Sequence, residues 1–333
     1  MFLKSSNLMF MLILINSTIL AISCNSWVIS WLALEINLMM LIPLLINKIN
    51  LNSTSSAIKY FLVQTFASII IITSFIVLYY SLYSPSMSMS SDAFTLAMVM
   101  KSGIPPFQFW LPQVLEFTSL TQSFIILTWQ KVAPFMFLSY SKSSLLFLFL
   151  MLSAIVGALG GLNQNSIIKV VAYSSMIHGA WMISGVLISM KTWVTYFLMY
   201  TMIMIGFFLW LSLFSVKKVS DLLKTYLTNS SKLTFSMNIL SMGGLPPFLG
   251  FLGKLVVIKK MIAVSLIYSM VVLLGASFIS LLYYIRLCYS IFLSSQNKIK
   301  KNISEKTFSN MNQLFLWSSL TMNTASPLMV LLT

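Results

Sequence analysis

The chain has 333 residues, of which 59% are apolar and only 8% charged, whereas a soluble domain carries about a quarter charged residues, so a water-solvated surface is excluded. One histidine (His178) and two cysteines (Cys24, Cys288) are too few for an iron–sulfur cluster, which takes about four ligands, or for a disulfide scaffold; any redox centre is expected on another chain. The net charge of +15 comes from scattered lysines, which fit membrane edges better than nucleic acid.

Roughly 200 apolar residues, cut into stretches of about 20, make ten or so membrane spans. Hydropathy predicts an all-α polytopic membrane protein of about eleven helices, at about 6–23, 26–47, 57–83, 93–112, 121–140, 144–162, 166–188, 191–215, 233–257, 263–293 and 311–332. Met1–Phe10 lacks a charged n-region and cleavage site, so it reads as the first span rather than a removed signal. Lys217–Lys232 and Gln296–Asn312 are polar loops too short to fold as domains. All basic residues except Arg286 are lysines, and 24 residues are methionine, a bias like that of animal mitochondrial genomes.

Alternating spans put Lys4, Lys48, Lys59, Lys169, Lys217, Lys218, Lys224, Lys232, Lys298, Lys300, Lys301 and Lys306 on the N-terminal side. Only Lys142, Lys191, Lys259 and Lys260 fall opposite. Positive charge gathers on the side of synthesis. This predicts an N-terminus in the matrix and a C-terminus in the intermembrane space, in the mitochondrial inner membrane.

Glu35, Lys101, Lys131, Lys254 and Arg286 fall inside predicted spans. Each costs a few kcal/mol in hydrocarbon unless paired, hydrated or snorkelled. Glu35, Lys101 and Lys131 lie near mid-span, beyond the reach of either interface; they read as functional charges or as structural ion pairs. Lys254, close to Lys259 and Lys260, could also snorkel. Arg286, flanked by Tyr283, Tyr284 and Tyr289 near a helix end, reads as an interfacial anchor. His178 lies mid-span beside Ser174, Ser175 and Gly179, where a structural histidine and a proton relay are equally consistent.

Proline removes the bond to the carbonyl four residues earlier. Pro105 therefore frees the carbonyl of Lys101 and Pro106 that of Ser102; Pro134 frees Gln130; Pro246 and Pro247 free Met242 and Gly243. Broken backbone at membrane depth persists only where protein or water satisfies it. Three intramembrane lysines on three broken helices point to a hydrated polar path. Gly103-Ile104-Pro105-Pro106-Phe107 recurs as Gly244-Leu245-Pro246-Pro247-Phe248, 141 residues later. The copies are five spans apart, an odd offset that inverts one half against the other, as in inverted-repeat transporters. The predicted organisation is two five-helix repeats, 1–143 and 144–294, then a polar loop and final helix at 295–333.

Further stretches sharpen this: Trp31-Leu32-Ala33-Leu34-Glu35-Ile36-Asn37, Ala57-Ile58-Lys59-Tyr60-Phe61-Leu62, Leu127-Thr128-Trp129-Gln130-Lys131-Val132-Ala133-Pro134, Gly160-Gly161-Leu162-Asn163-Gln164, Ala172-Tyr173-Ser174-Ser175, and Gly243 to Lys254. With these the chain resembles the antiporter-like membrane subunits of respiratory complex I, of the mitochondrially encoded kind. The resemblance implies the inverted repeat and one extra helix, in a chain shortened at its N-terminus relative to bacterial relatives. It implies a Glu35–Lys101 pair, a central Lys131 and a second-half Lys254, with His178 a candidate relay, forming a proton path driven by quinone reduction elsewhere. NADH, FMN, iron–sulfur clusters and ubiquinone are implied on partner subunits and none on this chain, which has no G-x-G-x-x-G context of its own. The implied partners are other membrane-arm subunits and the lipid bilayer, with cardiolipin a candidate lipid, and no nucleic acid. Gln108 stands where many relatives have histidine, and Gln113 where an acid is common; the resemblance gives these two no protonic role. A free-standing cation/proton antiporter using the same residues, and a purely structural subunit with frozen ion pairs, are the alternative readings.

Overall fold

The computed structural model describes residues 5–46, 50–81, 87–141, 143–224, 229–246 and 248–293. Regular structure among the described residues is helical, apart from one isolated antiparallel bridge between Ser166 and Lys218. Six of the helices are long and apolar enough to cross a membrane. The expected final span at 311–332 lies outside the described residues.

The chain divides into two compact units, Met1–Ser153 and Ala154–Thr333. In the first, α1 (Ser5–Ser23) packs along α2 (Trp27–Leu45), and α2 against α3 (Leu51–Ser81). Helix α4 (Met87–Ser102) runs against α3 and stops in mid-sequence of the expected span; the chain resumes as α5 (Trp110–Phe117). The next expected span is likewise two pieces, α6 (Leu120–Leu127) and α7 (Trp129–Tyr140). Helix α8 (Leu145–Gly161) carries the chain from the first unit into the second.

The second unit is organised on α9 (Ile167–Ile188), which touches α10 (Met190–Phe214), α13 (Leu249–Ala263) and α14 (Ile267–Leu293). The six-residue α11 (Val219–Lys224) and α12 (Asn229–Gly243) complete it. In its most apolar stretch α9 is 78% buried. Its small residues allow this: Ser174, Ser175, Gly179, Ala180 and Ser184 line a helix that bulkier neighbours surround.

The chain is rich in serine and threonine, whose hydroxyls need partners in an apolar surrounding. Most donate back along their own helix, as Ser74 Oγ does to the Ile71 carbonyl at 2.6 Å and Ser153 Oγ to Leu150 at 2.9 Å. Other polar side chains tie helices together. Asn238 Nδ2 donates to the Gly206 carbonyl at 3.2 Å, and Trp210 Nε1 to the Ser231 carbonyl at 2.9 Å.

The boundaries differ from expectation where polar residues hid helix. Lys259 and Lys260 fall within α13, and the turn into α14 comes later, at Val264–Leu266, with Ser265 at φ 61°. The Lys217–Lys232 stretch, expected as loop, holds α11 and the start of α12, and Lys232 is buried at 6% exposure. The loop is pinned from both sides: Ile167 N donates to the Lys217 carbonyl at 3.0 Å and Val219 N to Asn165 at 3.2 Å. Half-burial there pushes the Lys217 ammonium below the ordinary lysine range.

Candidate functional site

The glycines that open the two G-x-P-P-F copies end their helices in the same way. Gly103 has φ 72° and Gly244 φ 77°, the left-handed region that glycine occupies without a Cβ penalty. Past each glycine an N–H turns back five residues: Ile104 N to Val99 O at 3.2 Å, Leu245 N to Leu240 O at 3.3 Å. This is the wrapped helix end that a left-handed C-terminal residue produces. Each then makes a tight turn, Phe107 N to Ile104 O at 3.1 Å and Phe248 N to Leu245 O at 2.9 Å. Two helices are thereby ended inside apolar surroundings, one beside Lys101 and one facing Lys254.

Lys101 sits in the last turn of α4 at 7% exposure. Its own carbonyl, deprived of an N–H by Pro105, accepts from Gln64 Nε2 of α3 at 3.2 Å. Glu35, midway along α2, is near enough for its charge to act on Lys101. Their interaction is electrostatic rather than a hydrogen bond, and Glu35 Oε1 is buried without a hydrogen-bond partner.

A cavity of about 20 Å³ lies against Lys101, lined by Leu34, Asn37, Tyr60, Gln64, Gln130 and Pro134 among others. That is room for one water in a mostly polar setting. Across it α2 and α7 are joined by a reciprocal amide pair. Asn37 Nδ2 donates to Gln130 Oε1 at 3.1 Å, and Gln130 Nε2 donates to Asn37 Oδ1 at 2.9 Å. Lys131, the residue after Gln130, is 2% exposed in the first turn of α7. The interruption of this span is at Thr128, three residues before Lys131, rather than at Pro134, which α7 contains. Pro134 is the sixth residue of α7, and the carbonyl it leaves without an N–H is that of Gln130 in the first turn.

Lys254 is 6% exposed. Its Nζ donates to the Gly243 carbonyl at 2.6 Å, the end of α12. Nearby, His178 Nδ1 and the Tyr196 hydroxyl are hydrogen-bonded at 2.8 Å, both buried, with the Tyr200 ring 5.0 Å from the imidazole. Tyr196 leans on α13 one residue before Lys254: a Cβ on Gly253 would stand 3.3 Å from its ring. Arg286 is exposed and donates to the Leu162 carbonyl and Asn165 Oδ1, at 3.3 and 3.5 Å. Gln113 Oε1 accepts from Lys59 Nζ at 3.0 Å, and Gln108 is buried with its Oε1 unpartnered.

Glu35, Lys101 and the amide beside Lys131 thus gather in the first unit, and Lys254 and His178 in the second. Gln64, Asn37, Gln130 and Tyr196 were not foreseen as members of the site. Among the described residues no cluster of three or more histidine, cysteine or carboxylate groups could hold a metal ion.

A sequence model of the family described as NADH:quinone oxidoreductase/Mrp antiporter, transmembrane, matches residues 24–280. NADH-ubiquinone oxidoreductase chain 2 of Anopheles gambiae is 39% identical over 314 residues, 91% of this chain and 92% of the relative. The protein of the same name from Locusta migratoria is 37% identical over 305 residues, 90% and 89% of the two chains. Among solved structures, a chain of respiratory complex I from Thermus thermophilus superposes with a TM-score of 0.85 at 21% identity, over 97% of this chain and 78% of that one. A chain of the Mrp complex from Dietzia sp. gives 0.75 at 15% identity, over 85% and 60%. These last two likenesses are of fold.

Proposed function

The chain belongs to the NADH:quinone oxidoreductase/Mrp antiporter transmembrane family, and within it to the NADH-ubiquinone oxidoreductase chain 2 proteins, and on that premise we propose that it moves protons through the membrane arm of respiratory complex I by way of Glu35, Lys101, Lys131 and Lys254. The observation that supports this is the same at both ends of the series: a buried lysine at a helix interruption, with the backbone carbonyl released there held by a polar side chain. Such construction at membrane depth is costly and marks ion pathways.

The chain would lie in the mitochondrial inner membrane with about eleven spans, its N-terminus in the matrix and C-terminus in the intermembrane space. Its two five-helix repeats, 1–143 and 144–294, would each carry one broken helix of the G-x-P-P-F type, with 295–333 supplying a final span. NADH, FMN, iron–sulfur clusters and ubiquinone would reside on partner subunits, and neighbouring membrane-arm subunits and lipid would cover its apolar faces.

The mechanism is electrostatic. The Glu35 carboxylate attracts a proton to Lys101 across the gap between α2 and α4. Movement or neutralisation of Glu35 removes that attraction, and the proton passes to Lys131 and then to Lys254, with His178 and Tyr196 available on the second unit. Redox work on partner subunits supplies the displacement of Glu35. Replacing each lysine with methionine in the assembled complex tests the series: loss of pumped protons per electron supports it, and full pumping in all three variants overturns it.

A further inference from the structure

Asn37 and Gln130 use their amides on each other. After both reciprocal bonds form, each side chain keeps one N–H and one carbonyl lone pair for other partners. The pair bridges α2, two residues beyond Glu35, to α7, one residue before Lys131, and both members line the water-sized cavity that Lys101 lines. Gln64, which holds the Lys101 carbonyl, and Tyr60 line it as well.

The geometry points to Asn37 and Gln130 as an amide clasp that positions the water through which Lys101 hands its proton toward Lys131, an inference that rests on the reading of both lysines as proton carriers. An amide does not take up an extra proton near neutrality, so the clasp is a positioning device and not itself a carrier. It orients one water with its remaining N–H and lone pair, and a cavity of about 20 Å³ has space for that water. A proton leaving the Lys101 ammonium forms a new O–H bond on that water, which releases another of its protons onward; the lysine is left neutral and the water unchanged. Parting of the two amides frees two more donors and two more acceptors, which lengthens the hydrogen-bonded chain toward Lys131. Because α2 also carries Glu35, a shift of that helix acts on Lys101 and on the clasp together.

The test uses the complete complex reconstituted in liposomes, with Asn37→Leu and Gln130→Leu, which keep volume and remove the amide, and the exchanged pair Asn37→Gln with Gln130→Asn, which keeps the joined length. Each leucine variant is expected to slow coupled quinone reduction about tenfold, the loss of one hydrogen-bonded arrangement, and to lower the protons pumped per electron, while the exchanged pair recovers most of both. Where leucine prevents assembly, Asn37→Ser removes the amide with less disturbance and is expected to give the same reading. Normal rate and proton yield in assembled leucine or serine variants, beside impaired Lys101→Met and Lys131→Met, overturns the clasp and spares the lysine series. Normal pumping in both methionine variants removes the lysine series itself.

Discussion

The ammonium of Lys254 donates a 2.6 Å hydrogen bond to the Gly243 carbonyl, an acceptor left without its helical N–H because a proline follows four residues later. A charged donor and a backbone dipole at a helix C-terminus satisfy one another there without a carboxylate. In the first unit the carbonyl freed one position earlier in the motif, that of Lys101 itself, is held by Gln64, and the acid is supplied from α2 by Glu35. One motif therefore supports two arrangements: a lysine in the field of an acid on another helix, and a lysine hydrogen-bonded to backbone.

Gly244→Ala separates these features. At φ 77° an L-residue costs about 1–2 kcal/mol, and the new methyl group would stand 2.7 Å from Lys254 Nζ. The lysine end is flexible and gives way, so the complex is expected to assemble with a small loss of thermal stability but with the Lys254–Gly243 bond displaced. Proton yield per electron should fall more than assembled content does. Equal losses in both, measured on native gels and in liposomes, would show that the bond serves stability alone.

Tyr196→Phe keeps the ring that packs between Trp181 and α13, at 6.4 Å centroid separation from Trp181, and removes only the hydroxyl bonded to His178 Nδ1. If this pair passes protons, the variant assembles normally and pumps less, with a changed dependence of rate on pH. If the bond only packs α9 to α10, assembly drops by the equivalent of about 1 kcal/mol and the pH profile of the surviving complex is unchanged.

Much of this was legible in the sequence, and the limits have a physical pattern. The spans expected at 26–47 and 166–188 coincide with α2 (Trp27–Leu45) and α9 (Ile167–Ile188) within two residues, because hydropathy and length determine a buried helix. The interruptions near Lys101 and before Lys254 were readable from Gly-x-Pro-Pro, since only backbone chemistry was needed. The break at Thr128 was not, for no proline marks it: Thr128 leaves helical geometry with φ −113° and ψ −71°, and its hydroxyl bonds the Phe124 carbonyl at 2.7 Å. Nor was the Asn37–Gln130 pair, whose members are 93 residues apart and meet only through the packing of α2 and α7. Lysines can be found in sequence because they are expensive in a membrane; their neutral amide partners look like any other polar residue.

The proposed orientation rests on the distribution of lysine. Trypsin applied to the matrix face, in inverted inner-membrane vesicles, should cleave at Lys217, Lys218 or Lys224, while intact mitoplasts should protect these sites. Cleavage there in mitoplasts would overturn the proposed topology.

Lys101 gives the sharpest separation of proton carrier from structural ion pair. It lies buried at a broken helix end, its carbonyl held by Gln64, its ammonium in the field of Glu35 but not hydrogen-bonded to it. A direct, frozen pair would be worth several kcal/mol to assembly when one member is removed; a pair coupled only through space is easier to uncouple, which suits a group that must surrender its proton. Lys101→Met is therefore expected to assemble and to lose most coupled pumping, with slowed quinone reduction. Lys101→Arg keeps the positive charge beside Glu35 but holds its proton across the whole working pH range, so it too should assemble and fail to pump. The frozen-pair reading gives the reverse: methionine abolishes assembly by leaving Glu35 buried alone, and arginine restores both assembly and pumping. Proton yield per electron in the Lys101→Arg complex decides between them, and a normal yield there would remove Lys101 from the path.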